Sequence, residues 1–393
     1  MSTRIARVEA FVVTLPRETP YLGPAGPGEQ ANLRGYLVRQ GNRTIYPVVD
    51  RSILLKLTAE DGRVGWGETY GLVAPDAVTA ILDDVIGPFV LGRDPCDPVV
   101  IWEDLYDLMR VRGFFGGFWC DAIAAVDIAL WDLFGKITEQ PVARLLGGRR
   151  TQRIPAYVSG LPRATLAERV ELAQAFCARG FDAVKYAAAV SREGVVEEMA
   201  ALRAALGPDV KLMVDLHWRY SAAEAIELID RLAPFNPFFV EAPCAPEDLE
   251  GQVEVASRVR VPVALGEEWH TVHVAKPRFV RRAMAIVQPE VAHCGLSQFM
   301  QIGRMAQAFH VRVIPHATIG IGVFQAASLH ATAALPNAPM HEYQHSVFDR
   351  NLALLRTTMR CDAGHYQLPE GPGLGVEPAP ALWQFARPSR ALS

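Results

Sequence analysis

The sequence predicts an α/β protein, a parallel (β/α) barrel joined to a smaller α+β domain, on three observations. First, apolar runs ending in a chemically capable side chain recur at a near-constant interval. Asp215 closes KLMVD, and Glu241, Glu267, Glu290, His316 and Glu342 follow at steps of 26, 26, 23, 26 and 26 residues. Each step has room for a strand, a loop, a helix and a return loop, and repeated βα units with functional groups at the carboxyl ends of their strands are how such a barrel builds a site. One acid at such a place is commonly a solvated loop residue; six polar positions in register are not. Second, 393 residues hold a barrel of ~250 residues and one further domain. Third, no GxGxxG turn follows the first barrel strand, and the polar strand ends continue beyond the single switch point that an open, doubly wound sheet would use.

The elements follow in order. RIARVEAFVVTL alternates as a strand, and SILLKLTAEDGRVGWGE reads as a hairpin turning at Asp61-Gly62. Between them, residues 19–46 are rich in Gly, Pro and Arg, a composition and length that fit a disordered loop or a functional lid. Residues 75–146 turn helical, with Ala122, Val126, Ala129, Leu130 and Leu133 forming an apolar stripe. Leu145-Leu-Gly-Gly148 before the charged RRTQR marks a boundary. It divides the chain into an α+β unit (1–148) and a second module that begins at residue 149. In the barrel, IPAYVSG is the first strand and TLAERVELAQAFCARG a helix stopped by Gly180. FDAVKYA is the second strand, with Lys185 near its end, and EGVVEEMAALRAALG the next helix.

Composition narrows the function. Half the residues are hydrophobic and 21% are charged, enough for a large core. A net charge of −4 without a clustered Lys/Arg run gives no case for nucleic acid. The six cysteines are scattered with no CxxC, as expected of reduced thiols, and there is neither a signal-like apolar segment at the N-terminus nor a run of ~18 apolar residues. A cytoplasmic protein that does not engage membranes is expected. All ten histidines lie at or after position 217, which puts imidazole chemistry in the second half.

Asp215, Glu241 and Glu267 end consecutive strands and therefore converge at the barrel mouth. Three carboxylates that close need a counter-charge, and oxygen-only ligands suit a hard cation such as Mg²⁺, which keeps positions open for substrate oxygens. The motifs VDLH, VEAP, LGEEW, VQPE and IPH, in this order and spacing, resemble the enolase superfamily and its mandelate racemase-like subgroup over nearly the whole chain. The resemblance implies a (β/α)7β TIM-like barrel (149–355) with an α+β capping domain built from the N-terminal segment (1–148) plus the C-terminal tail (356–393), which returns to the cap. It also implies Mg²⁺ on Asp215, Glu241 and Glu267, a small-molecule sugar acid as substrate, and assembly as a homo-oligomer.

By the same resemblance, His316 and Glu290 stand where the family has a His-Asp base dyad, here with Glu in place of Asp. His217, two residues after Asp215, resembles the leaving-group acid of dehydratases of the galactonate type. The second lysine of the family's Lys-x-Lys is Ala187 here, which counts against a two-base racemase. Lys185 is left either to hold the substrate carboxylate or to pair with a barrel acid. Glu342 is expected protonated, against the substrate carboxylate. His293 is open between substrate contact and structure; Trp218, Trp269, His270 and His345 are candidates to line the pocket, and Tyr21, Arg34, Arg43 and Tyr46 to read the distal substrate from the lid. The implied activity is dehydration of an aldonic or aldaric acid to a 2-keto-3-deoxy acid. The alternatives are a sugar-lactone cycloisomerase, to which GEEWH and GPGLGVEP are similar, or an epimerase, with His293 or Lys185 as the second acid/base, and a non-catalytic metal-dependent binder of metabolites.

Overall fold

The structure is a computed structural model that describes residues 3–389. An antiparallel sheet opens the chain, its strands Ile5–Leu15, Asp50–Ala59 and Val64–Tyr70 ordered as they occur, with Ala386–Pro388 from the tail added outside Ile5–Leu15. The long apolar helix Phe118–Ile137 lies directly on this sheet. Contact is close because of the glycines of the GWG run: a Cβ at Gly65 or Gly67 would stand 2.2 or 1.9 Å from the carbonyl oxygens of Ala129 or Ala125. No helix among the described residues is long and apolar enough to cross a membrane.

Eight strands then build the barrel: β1 (Arg153–Ser159), β2 (Ala183–Ala187), β3 (Lys211–Asp215), β4 (Phe239–Glu241), β5 (Val263–Leu265), β6 (Ile286–Val287), β7 (Arg312–Val313) and β8 (His341–Tyr343). Parallel ladders run from β1 through β7, and β8 pairs with β1. Between β7 and β8 side chains and loops bridge the seam, the Ala317 N–H donating to Glu342 Oε2 at 3.0 Å.

One buried cluster shows the closure. Tyr157, Ala183, Met213, Phe239, Ala264, Ile286, Ile314 and Met340, one from each strand or its immediate flank, pack together as an interior layer. Side chains two residues further along a strand point to the same side. The next layer toward the carboxyl ends is therefore Ser159, Lys185, Asp215, Glu241, Gln288, His316 and Glu342. On β5 the step is three residues, to Glu267, and Gly266 takes up the extra one at φ 121°. A Cβ there would meet the Trp269 ring at 3.0 Å.

The tail does more than return to the first sheet. Its hairpin Arg360–Asp362/His365–Gln367 pairs antiparallel with Arg153–Pro155, at the start of β1, before Ala386–Pro388 reaches Ile5–Leu15. Residues 19–46 contain a hairpin of their own, Tyr36–Val38 with Ile45–Pro47. The buried Arg39 guanidinium staples this segment, donating to the carbonyls of Tyr21 (2.7 Å), Gly23 (2.5 Å) and Pro24 (3.0 Å) and to Glu29 Oε2 (2.8 Å). Glu68, fully buried, accepts from the backbone N–H groups of Ile321, Gly322, Val323 and Phe324. It thereby ties the first sheet to the N-terminus of helix Val323–Ala334.

Candidate active site at the barrel mouth

A cavity of about 340 Å³ lies between the barrel mouth and the N-terminal unit. The barrel lines it with Ser159, Lys185, Ala187, Asp215, His217, Trp218, Glu267, Glu268, His293, His316 and Glu342; residues before 122 add Tyr21, Tyr46, Tyr70, Phe118 and Asp121.

On one wall, His316 Nδ1 is 2.9 Å from Glu290 Oε2. The glutamate, longer than the aspartate of the family pattern, reaches the ring from a fully buried position. It is itself held, because Oε1 accepts from the Ala292 N–H at 3.0 Å and Oε2 also accepts from the Tyr70 hydroxyl at 2.9 Å. With the Nδ1 proton on Glu290, His316 presents Nε2 to Glu267 Oε2 (3.4 Å) and Glu342 Oε2 (3.9 Å). Burial opposes a charged imidazole here, but Glu267, Glu342 and Glu290 outweigh it and raise His316 well above the ordinary histidine range; a cation on Glu267 would oppose that rise and favour an unprotonated Nε2.

On the floor, oxygens of Asp215, Glu241 and Glu267 lie within 4.8 Å of one another. Burial, with mutual repulsion added, pushes Asp215 and Glu267 up. Burial would raise Glu241 too, but Lys185 outweighs it and draws Glu241 down to about 2. Glu241 Oε1 and Glu267 Oε2 are enclosed without a hydrogen-bond partner. Converging acids, two of them disfavoured as anions, with orphaned oxygens, fit a hard divalent cation such as Mg²⁺.

Lys185 Nζ bridges Glu241 Oε2 (2.6 Å) and Glu342 Oε1 (3.1 Å), so of its two expected roles the structure displays pairing with barrel acids. Glu342 departs from expectation. Burial alone would protonate it, but Lys185 and His316 overcome that and hold it below the usual carboxylate range. Ser159 Oγ donates to it at 2.5 Å. It is an acceptor, not the donor expected of a protonated acid. His217, at φ 51°, turns both ring nitrogens onto Asp215: Nε2 is 3.0 Å from Oδ2 and Nδ1 3.2 Å from the carbonyl.

Several expected lining residues lie elsewhere. Trp269 is buried behind the wall, its Nε1 donating to Glu268 Oε1 at 2.9 Å and its ring under Arg278. His270 lies behind Asp121, its Nε2 3.4 Å from Asp121 Oδ1. Arg43 and Arg34 are exposed and outside the cavity, as solvation of a charged loop side chain favours. His345 instead faces the Gly160 carbonyl at 3.1 Å. Tyr21, Tyr46, Trp218 and His293 do line the cavity. Ser159, Gln288, Tyr70 and Asp121 escaped the sequence reading. For the first two, the position two residues beyond an inward apolar residue was a usable signal; Tyr70 and Asp121 had none.

Fold and site together define a capped (β/α) barrel enzyme with an acid cluster and a carboxylate-held histidine at the carboxyl ends of its strands. Residues 168–382 match the family described as "Enolase C-terminal domain-like" and residues 47–147 the "Mandelate racemase / muconate lactonizing enzyme, N-terminal domain". The chain belongs to the enolase superfamily. It is 34% identical to a D-galactarolactone cycloisomerase of Agrobacterium fabrum, over 86% of this chain and 91% of that one. It is 31% identical to a D-galactonate dehydratase of Cronobacter sakazakii, over 85% and 90%. A crystal structure described as a putative isomerase from Sinorhizobium meliloti superposes with a TM-score of 0.97 at 54% identity, covering 98% of this chain and 100% of that one.

Proposed function

We propose that this enzyme removes the proton α to the carboxylate of a sugar acid and expels the oxygen on the adjacent carbon. The substrate in this reading is an aldonic or aldaric acid, and the product a 2-keto-3-deoxy acid. The observation that carries it is the His316–Glu290 dyad, whose free Nε2 faces the Asp215–Glu241–Glu267 cluster across the cavity.

Asp215, Glu241 and Glu267 would hold Mg²⁺, which when bound supplies positive charge to a substrate carboxylate and so acidifies the neighbouring C–H. His316 Nε2 takes the proton while Glu290 holds the Nδ1–H and stabilises the imidazolium. The electron pair left on carbon forms the C=C bond as the adjacent C–O bond breaks, and the enol then ketonises. Lys185 keeps Glu241 and Glu342 anionic and fixed. A departing hydroxide needs a proton, and His217, on the cavity wall, is the residue placed to give it once Asp215 Oδ2 is engaged elsewhere.

A second reading is favoured by a specific observation. Both His217 nitrogens face Asp215, and opening the lactone of an aldaric acid expels a carboxylate, which needs no proton. The 34% identity to a D-galactarolactone cycloisomerase supports it as well. Homo-oligomeric assembly and a cytoplasmic location belong to the same proposal; light scattering reads the first.

The test is a screen of the Mg²⁺-loaded protein against C5 and C6 sugar acids and their lactones, reading 2-keto acid formation, with His316→Asn and His217→Asn alongside. Loss of turnover in both variants on an open-chain acid supports dehydration. Loss in His316→Asn alone, on a lactone, supports ring opening. Turnover that survives His316→Asn overturns the base assignment, and no α-proton exchange in D₂O with any compound favours a binding role.

A further inference from the structure

A second constellation of ligand-type side chains stands at the rim of the cavity, apart from the three carboxylates. Asp121 comes from the first turn of helix Phe118–Ile137, His270 from the loop after β5, and His293 from the segment after Glu290, where the chain kinks at Gly295 (φ 69°). His293 Nδ1 is 2.7 Å and His270 Nε2 3.4 Å from the same oxygen, Asp121 Oδ1. One donor atom from each of the three residues falls within 4.8 Å of the others. The two rings are tilted, at 57° with centroids 5.2 Å apart, so their edges rather than their faces meet the carboxylate.

Hydrogen bonding accounts for only part of this arrangement. Asp121 Oδ1 satisfies His293 at 2.7 Å, whereas His270 Nε2 stands 3.4 Å from the same oxygen and is enclosed without a well-formed hydrogen bond, an arrangement that costs stability unless something else engages the nitrogen. Asp121 and His293 both line the cavity, and so does Glu268, whose Oε2 is likewise enclosed and unpartnered.

We infer that Asp121, His270 and His293 form a second cation site, for a divalent transition-type ion such as Zn²⁺, Mn²⁺ or Co²⁺. Two imidazoles and one carboxylate suit such ions better than Mg²⁺, which prefers oxygen alone. Three protein ligands leave coordination positions open, and the side of the cluster open to the cavity is where oxygens of a bound molecule would enter.

The test is a Co²⁺ titration of chelator-stripped protein, followed by its visible ligand-field bands and by bound-metal analysis, for wild type, Asp215→Asn, His270→Gln, His293→Gln and Asp121→Asn. Circular dichroism verifies the fold of each variant, and the near-isosteric Asp121→Asn stands in should a histidine variant unfold. The expected result is a nitrogen-ligated Co²⁺ that persists in Asp215→Asn and binds at least tenfold more weakly in the three rim variants. Wild-type uptake abolished by Asp215→Asn, or undiminished affinity in the rim variants, would overturn the assignment. Since no readout is catalytic, failure here leaves the proposed reaction untouched.

Discussion

Glu290→Gln tests the base most directly. In the native site two carboxylate oxygens serve three donors: Ala292 N–H on Oε1, with Tyr70 O–H and His316 Nδ1–H on Oε2. Glutamine has a single carbonyl oxygen, and its NH₂ would confront a donor. The conflict is relieved when His316 changes tautomer, so that Nδ1 accepts from the amide and the proton moves to Nε2, which then cannot act as a base. Loss of the charge-assisted bond to the forming imidazolium adds to this. Together they amount to about 2–4 kcal/mol of barrier, or roughly 30- to 1,000-fold in kcat. The assay is steady-state formation of 2-keto acid, with α-proton exchange in D₂O followed by NMR; both rates should fall together while KM stays within about threefold. Tyr70→Phe is the control. It leaves Oε2 to His316 alone, raises the basicity of the ring and moves the ascending limb of the pH–rate profile to higher pH. A Glu290→Gln enzyme with kcat within about threefold of wild type would refute the dyad.

Three further outcomes are expected. With Asp215 and Glu267 pushed up by burial and repulsion, saturating Mg²⁺ should stabilise the protein by about 2–3 kcal/mol relative to chelator; identical melting temperatures in the two conditions would count against a cation at that cluster. Arg39→Met breaks the buried staple on residues 19–46; a KM raised about tenfold, nearly constant kcat and faster proteolytic cleavage in this segment should result, and an unchanged cleavage rate would remove the staple from the account. His330, buried and drawn down to about 4 by desolvation, accepts from the Ala143 N–H at Nδ1 and faces the Leu374 carbonyl with Nε2. Its folded pKa lies below its unfolded one, so its contribution is complete above about pH 6.5 and is lost as pH falls toward 4. At pH 5 the loss is about 2 kcal/mol, and denaturant melts should show a flatter pH dependence in His330→Gln.

The barrel and its floor were legible because strand geometry is local. An inward apolar residue fixes the face, and the polar residue two positions on repeats once per βα unit, as Met213–Asp215, Phe239–Glu241 and Ile314–His316 all do. The same rule reaches Ser159 and Gln288, but these are not ionisable and do not stand out in a search for acids and histidines. Proximity in sequence misled at Trp269 and His270, since after the Gly266 bulge Glu267 and Glu268 stay on the cavity wall while the next two side chains turn away from it. Arg43 failed for a simpler reason: an exposed loop hydrates its guanidinium.

What no local pattern could display is the reach of the N-terminal unit into the chemistry. Tyr70 binds Glu290 from 220 residues away, and Asp121 binds His293 from 172. Tyr70 is the more consequential, because it shares the oxygen that holds the base. The sheet that carries it is fastened to the loop after β7 through Glu68 and the four amides it caps, and that loop brings Thr318 Oγ1 to 3.0 Å from the Tyr70 hydroxyl. The unit whose hairpin and Tyr21 form the outer wall of the cavity therefore also sets the hydrogen bonding behind His316. Substrate selection and base strength are consequently not separable by domain: a change in the first sheet that moves Tyr70 by even an ångström alters the proton affinity of Nε2 without touching a barrel residue.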